Sequence, residues 1–288
     1  MVLKLLIHCG CHKTASTSLQ EKILPLCNSY QYIGKSNKAL KNNLGGYLGH
    51  TLTKFCINAS RLTLSQSNQL ARLKNELLEI ISKINQGRED VFYLYSNESI
   101  IQNFSLWNQG SYNENNLPII PLIELEKLSI ISNYSHIFGF QRNIFDYTVS
   151  LYIEVQKKRK NLSLPCISLM EWIKFQTKLA RTTNRSCYQL YQNKNLYFGN
   201  HKRMEGIIQF KDFHSLKKSP FDTLTGLITP RDFRPITFDS SKDTIDSLFR
   251  RSHLNTSKEK DILPYILKIN SVKSTEDLHK IAIDLIDI

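Results

Sequence analysis

Apolar residues are distributed along this chain in two regimes. Short unbroken runs are followed by longer stretches in which apolar positions recur every three or four residues. The run at 2–8, VLKLLIH, is apolar apart from its lysine and terminal histidine. Such a run predicts a strand buried on both faces of a parallel sheet. A polar loop follows at 9–13. Leu19, Ile23, Leu24 and Leu26 then fall at near-helical spacing, which predicts a helix starting at 14–18. The clearest helix covers 65–86, where Leu70, Leu73, Leu77, Ile81 and Ile84 form one stripe. Gly87 stops it.

Further apolar runs at 91–95 (VFYLY), 136–141 (HIFGFQ) and 206–210 (GIIQF) read as the next strands. One or two helices are expected between the second and third strands. Another is expected at 144–157, with Asn143 at its N-cap and Asp146 in its first turn. Helical spacing also recurs at 168–179, 184–192, 258–269 and 274–286. The stretch 215–238 is rich in Lys, Pro and Thr and predicts no firm structure, and no internal repeat is present.

Strands that alternate with helices predict a three-layer α/β fold with a central, mostly parallel sheet flanked by helices. We expect one domain over residues 1–288, with acceptor-side loops or insertions near 35–64, 107–118 and 194–205. In open sheets of this kind, ligands bind beyond the carboxyl ends of the strands. The first strand runs into residues 8–13, the second into 96–98 and the third into Arg142, so three strand ends carry chemically capable residues.

Composition narrows the partner. Of 288 residues, 38 are Lys or Arg and 25 Asp or Glu, a formal charge of +13. That excess predicts an anionic partner without choosing among nucleotide, polysaccharide, membrane surface and nucleic acid. A hydrophobic fraction of 41% excludes a wholly disordered chain. No apolar run approaches the ~18 residues that span a bilayer. The first seven residues are too short for the apolar core of a signal peptide, so a soluble cytoplasmic protein is expected. Cys9, Cys11, Cys27, Cys56, Cys166 and Cys187 are scattered without zinc-site spacing.

The sequence at 8–18, HCGCHKTASTS, lies between a predicted strand and a predicted helix. Backbone N–H groups at such a junction cradle phosphate. Gly10, Cys11, His12, Lys13, Thr14, Ala15, Ser16, Thr17 and Ser18 are the candidate ligands, with Lys13 supplying a point charge and the hydroxyls supplying donors. It is not a Walker A loop: with Lys13 in the lysine place, Ile7 and His12 stand where the glycines belong.

The pattern H-x-G-x-x-K-T-x-S-T-S-L-Q resembles the 5′-phosphosulfate loop of the sulfotransferases that use 3′-phosphoadenosine-5′-phosphosulfate (PAPS). A second segment, RNIFDYTVSLY at 142–152, resembles that family's 3′-phosphate motif, an arginine followed eight positions later by a serine, here Arg142 and Ser150. Fainter likenesses occur at 206–213 (GIIQFKDF) and 250–257 (RRSHLNTS). Ala15 stands where the family usually has glycine.

The resemblance implies a P-loop NTPase-like fold and transfer of a sulfuryl group from PAPS to a hydroxyl or amine, with PAP as product and no metal required. It implies that Lys13 neutralises charge developing on the leaving 5′-phosphate, and that Arg142 and Ser150 hold the 3′-phosphate. A general base must take the acceptor's proton. Glu98, just past the second strand, is the first choice. His50, in the glycine-rich stretch GGYLGH, is the second. Aromatic and polar residues in the expected insertions suit a saccharide acceptor. The basic run 157–160, KKRK, is either a solvated helix end or a contact to an anionic acceptor. Two alternatives remain at this level: another P-loop enzyme, such as a kinase or nucleotide hydrolase, and a PAP-binding protein without turnover. A nucleic-acid partner is not expected, because no recognition motif accompanies the charge.

Overall fold

The computed structural model describes residues 3–9, 16–34, 43–61, 67–87, 90–97, 100, 120–141, 152, 163–165 and 208–254. Its centre is a five-stranded, all-parallel sheet in the order β2-β3-β1-β4-β5. The strands are β1 Leu3–His8, β2 Gln31–Tyr32, β3 Val91–Ser96, β4 Ser135–Gln141 and β5 Ile208–Asp212. β1 pairs with β3 from Leu3↔Val91 to His8↔Ser96, and with β4 from Leu5↔Ser135 to His8↔Phe138. β1 is therefore interior, which accounts for its run of buried residues.

Period-2 alternation sorts the strand residues between two cores. Leu3, Leu5, Ile7, Tyr93, Tyr95 and Ile137 face one side. There they meet α2 (Leu44–Arg61), α3 (Ser67–Asn85), α4 (Ile120–Lys127) and α5 (Ile130–Tyr134). Leu6, Leu94, Phe138 and Phe140 face the other side. They meet the segment that begins with α1 (Ser16–Ser18) and the helices α6 (Phe213–Lys218), α7 (Pro220–Thr225) and α8 (Lys242–Leu254). The result is the three-layer α/β arrangement that the alternation of elements predicts.

Several local expectations change. α1 does not continue as a regular helix: Leu19–Ile23 form a π turn and Leu24–Leu26 a 3₁₀ turn. Pro25, which lacks an N–H, sits at the start of the latter. The region near 35–64, expected as an acceptor-side loop, contains α2. Leu48, Leu52, Phe55, Cys56 and Ala59 of that helix are buried in the core. Gly49 permits its close approach, since a β-carbon there would lie 2.0 Å from the Ile33 carbonyl oxygen. The stretch 215–238 is not structureless. Asp212 caps α6 by accepting from the Ser215 N–H at 3.0 Å, and Ser219 caps α7. The buried Asp246 of α8 accepts from the Ser219 hydroxyl and the Phe221 N–H, both at 3.0 Å.

The fourth expected strand, 206–210, is β5 two residues further on, and the short edge strand β2 carries no strong sequence signal. The α3 stripe is buried as its spacing predicts, and the Gly87 N–H closes that helix onto Ile84. The helices expected at 144–157, 168–179, 184–192, 258–269 and 274–286 lie wholly or almost wholly outside the described residues, as do 107–118, 157–160 and 194–205.

Candidate functional site

The carboxyl ends of β3 and β1 are level, with Ser96 opposite His8, and β4 pairs with His8 at Phe138 and runs three residues further to Gln141. β1 ends at His8, whose backbone carbonyl accepts from the Asn97 N–H at 3.1 Å just past β3. On the other side, the Cys9 N–H donates to the Phe138 carbonyl at 2.8 Å. The connection after β1 leads to β2 on one side of the sheet, while that after β4 leads to β5 on the other. The crevice where connections diverge in this way is the usual ligand position of an open α/β sheet. By that rule the expected ligand position lies beyond the carboxyl ends of β1 and β4.

His8 closes the floor of this junction. Its ring is fully buried and tilted against Phe138 and Phe140, with centroids at 5.1 and 5.7 Å. Its Nδ1 lies 2.6 Å from the Ser96 Oγ on β3. That contact ties the end of β1 to the end of β3 through side chains as well as backbone. Cys9, the next residue, is buried and not in a disulfide, and the same holds for Cys27 and Cys56.

A second polar group lies on the opposite face of the same strand ends. Tyr95 of β3 is fully buried, and its hydroxyl accepts from the Asn97 Nδ2 at 2.7 Å. The Thr53 Oγ1 of α2 is 3.1 Å from the same hydroxyl. Burial is the main cause that holds the Tyr95 hydroxyl protonated well above its ordinary range, and it pushes the neighbouring Cys56 thiol up to about 12. Neither group ionises near neutral pH.

Of the residues expected to bind phosphate, Ser16, Thr17 and Ser18 form α1, with Thr17 exposed and Ser18 buried. Gly10, Cys11, His12, Lys13, Thr14 and Ala15 lie outside the described residues, as do Glu98, Arg142 and Ser150. The described strands nevertheless fix what each adjoins in sequence. Residues 10–15 follow β1 and Cys9, Glu98 follows Asn97 beyond β3, and Arg142 follows Gln141 at the end of β4. His50 is not in a loop. It is an exposed residue of α2, one turn before Thr53.

The sequence singled out 96–98 as a chemically capable strand end, but it did not point to Tyr95 or Thr53, nor to His8 as the partner of Ser96. Among the described residues, no group of three or more His, Cys, Asp or Glu side chains is arranged to hold a metal ion. Also among these residues, no helix is long and apolar enough to cross a membrane. Comparison with protein-family models, with curated proteins and with solved structures finds no match to this chain.

Proposed function

We propose that the chain is a PAPS-dependent sulfotransferase that moves a sulfuryl group onto a hydroxyl or amine of a saccharide acceptor. One observation carries the reading. β1 and β4 are adjacent parallel strands flanking the point where the sheet's connections diverge, and each runs in sequence into one of the two phosphate-type motifs. A nucleotide with phosphates at both its 5′ and 3′ positions suits two phosphate-binding segments that leave adjacent strands at the same end of the sheet, the second from a strand that runs three residues further.

In this mechanism catalysis is positioning and charge stabilisation, by analogy with phosphoryl transfer. Lys13 and the hydroxyls of Thr14, Ser16 and Thr17 hold the 5′-phosphate, together with backbone N–H groups of residues 10–18. Lys13 neutralises charge on the oxygen that breaks from sulfur. Arg142, by its bidentate fork, and Ser150, by its hydroxyl, hold the 3′-phosphate. Glu98 takes the acceptor proton. A cytoplasmic location and a P-loop-like ancestry belong to the same reading.

Calorimetry with PAP and with AMP, followed by labelled PAPS on a panel of neutral and anionic oligosaccharides, tests it. PAP should bind far more tightly than AMP, and sulfuryl transfer should persist in EDTA. Absence of PAP binding at millimolar concentration would end the proposal. Turnover of ATP or GTP that depends on Mg²⁺ would replace it with a kinase or hydrolase.

A further inference from the structure

The connection between α7 and α8 crosses the amino end of the sheet, away from the candidate site. It touches Lys4, Phe92 and His136, the second residues of β1, β3 and β4. Residues 227–239 form no helix or multi-residue strand of their own. Leu227 and Ile236 are buried and anchor the segment in the core. Between these anchors Ile228 is 71% exposed, and 230–232 and 234–235 are exposed as well.

Two sets of contacts hold this strap, and they differ in chemistry. Its second part is fixed by groups that do not titrate near neutral pH. The Tyr30 hydroxyl donates to the Arg234 carbonyl, and the Arg234 guanidinium lies 4.1 Å from the Phe92 ring centroid. The Asn28 N–H donates to the Thr237 carbonyl at 3.0 Å, and the Thr237 N–H donates to the Ser29 Oγ at 3.1 Å. The first part is held through Asp232 and the half-buried Phe233. Lys4 pairs with Asp232 and places its Nζ 5.6 Å from the Phe233 ring centroid. The His136 ring is tilted against the same phenyl ring, with centroids 6.0 Å apart.

Protonation of His136 upsets this first part. Among the described residues its buried Nε2 has no hydrogen-bond partner. On the strap, Asp232 is the charged group that acts on it, and on β1 Lys4 is the charged group of the same sheet face. Gln209, on that face of β5, is neutral. Asp232 favours the imidazolium, but its carboxylate is already engaged by Lys4. The closed strap therefore buries a cation whose Nε2–H has no acceptor, against a ring that Lys4 already flanks. The open strap leaves the same cation in water and uncovers Lys4 as Asp232 withdraws. Opening 228–233 exposes little apolar surface beyond Phe233, so it costs far less than unfolding.

We infer that 228–233 is an acid-released strap: protonation of His136 frees these residues from the amino end of the sheet, while 234–239 stays attached. Neither the strap nor His136 has a part in the sulfotransferase reading.

Amide exchange of the full chain, followed by NMR and corrected for the intrinsic pH dependence, tests this. The Phe233 N–H, bonded to the Pro230 carbonyl at 2.9 Å, reports on the strap. The Thr237 N–H reports on the part that stays, and the Ile33 N–H, bonded to the Leu94 carbonyl at 2.9 Å, reports on the sheet. Between pH 7.5 and 5.5 protection at Phe233 should fall about three- to tenfold, the upper figure being the linkage limit for one histidine of ordinary value about 6.5 in the open state. Protection at Thr237 should change by less than about twofold, and Ile33 should stay at least about tenfold better protected than Phe233 throughout. His136→Gln, neutral at both ends of the range, should make Phe233 insensitive to pH. In the wild type, the ring resonances of His136 should titrate below about 6.5. A His136 midpoint at or above that value would overturn the inference. So would protection at Phe233 that ignores pH, that falls equally in His136→Gln, or that matches Ile33. Protection that rises in acid would overturn it too, by showing that Asp232 or Gln209 accepts from the charged ring in the closed strap.

Discussion

Gly139 meets Cys9 where β4 runs past the end of β1: a β-carbon at position 139 would lie 2.1 Å from the Cys9 carbonyl oxygen. The obstruction is backbone, so it cannot turn aside as a flexible side chain would. The glycine lets β4 stay hydrogen-bonded to the β1 segment as far as Cys9, whose N–H donates to the Phe138 carbonyl. Gly139→Ala should push the two strand ends apart at a cost of about 1–3 kcal/mol, the usual range for overpacking. At roughly 2–4 °C per kcal/mol for a chain of this order of size, the thermal midpoint should fall by several degrees. PAP affinity, measured in the cold where the variant is folded, should fall as well. A variant that melts and binds like the wild type would show that the junction has slack.

His136 makes the opposite end of β4 sensitive to acid. Burial lowers its imidazole below the ordinary range, against weaker raising effects from the Ile228 backbone and Asp232. Among the described residues, its buried Nε2 has no hydrogen-bond partner, so a proton there would be unpaired. The unfolded chain then takes the proton at a higher pH than the folded chain does. Stability should be full above the ordinary histidine value of about 6.5 and decline as pH falls from there towards the lower folded value. Asp232, paired with Lys4, has its carboxylate lowered by that hydrogen bond. Its contribution is lost only further down, as pH falls through that lower value. Thermal midpoints recorded from pH 7.5 to 5.5 should therefore decline, and His136→Gln should flatten the decline. An unchanged slope in the variant would assign the acid sensitivity to other groups.

In the proposed reaction Glu98 and His50 are the two candidates for the base. Asn97, the residue before Glu98 in sequence, donates its N–H to the His8 carbonyl at the end of β1, whereas His50 is an exposed residue on α2. Glu98→Gln should lower kcat by about 10²–10⁴-fold, the usual contribution of a positioned base, and remove the acid limb of its pH profile. His50→Gln should leave that limb in place. The reverse pattern, with the limb lost in the His50 variant alone, would move the base to α2.

The parts of the fold that local pattern dictates were legible, and those that tertiary contact dictates were not. VLKLLIH, VFYLY and HIFGFQ became the central strands because a run buried on both faces has no other home. The Leu70–Ile84 stripe became a core helix for the same reason. α2 was hidden because its three glycines read as a loop. Gly49 is there for the Ile33 carbonyl and Gly45 for the Tyr93 ring, contacts that no local window contains. α6 and α7 are short, and the junction between them at Ser219 and Phe221 is held by Asp246, more than twenty residues away. Likewise, the strand ends of the site could be located from sequence, but the Thr53–Tyr95 contact joins residues 42 apart and could not.

The remaining prediction isolates the 3′-phosphate. If Arg142 holds that group, its removal should penalise only ligands that carry it. Arg142→Ala should weaken PAP binding by about 1.5–3 kcal/mol, the range for hydrogen bonds to charged groups. That corresponds to about 10–150-fold. AMP, which shares the 5′-phosphate and the base, should bind the variant as it binds the wild type. Arg142→Lys should restore charge without the two-pronged geometry and recover only part of the loss. The decisive quantity is the ratio of PAP to AMP affinity, because general damage to the site would weaken both ligands alike. A ratio unchanged by Arg142→Ala would detach the 142–150 segment from the nucleotide. The two strand ends would then flank a site for a ligand with a single phosphate.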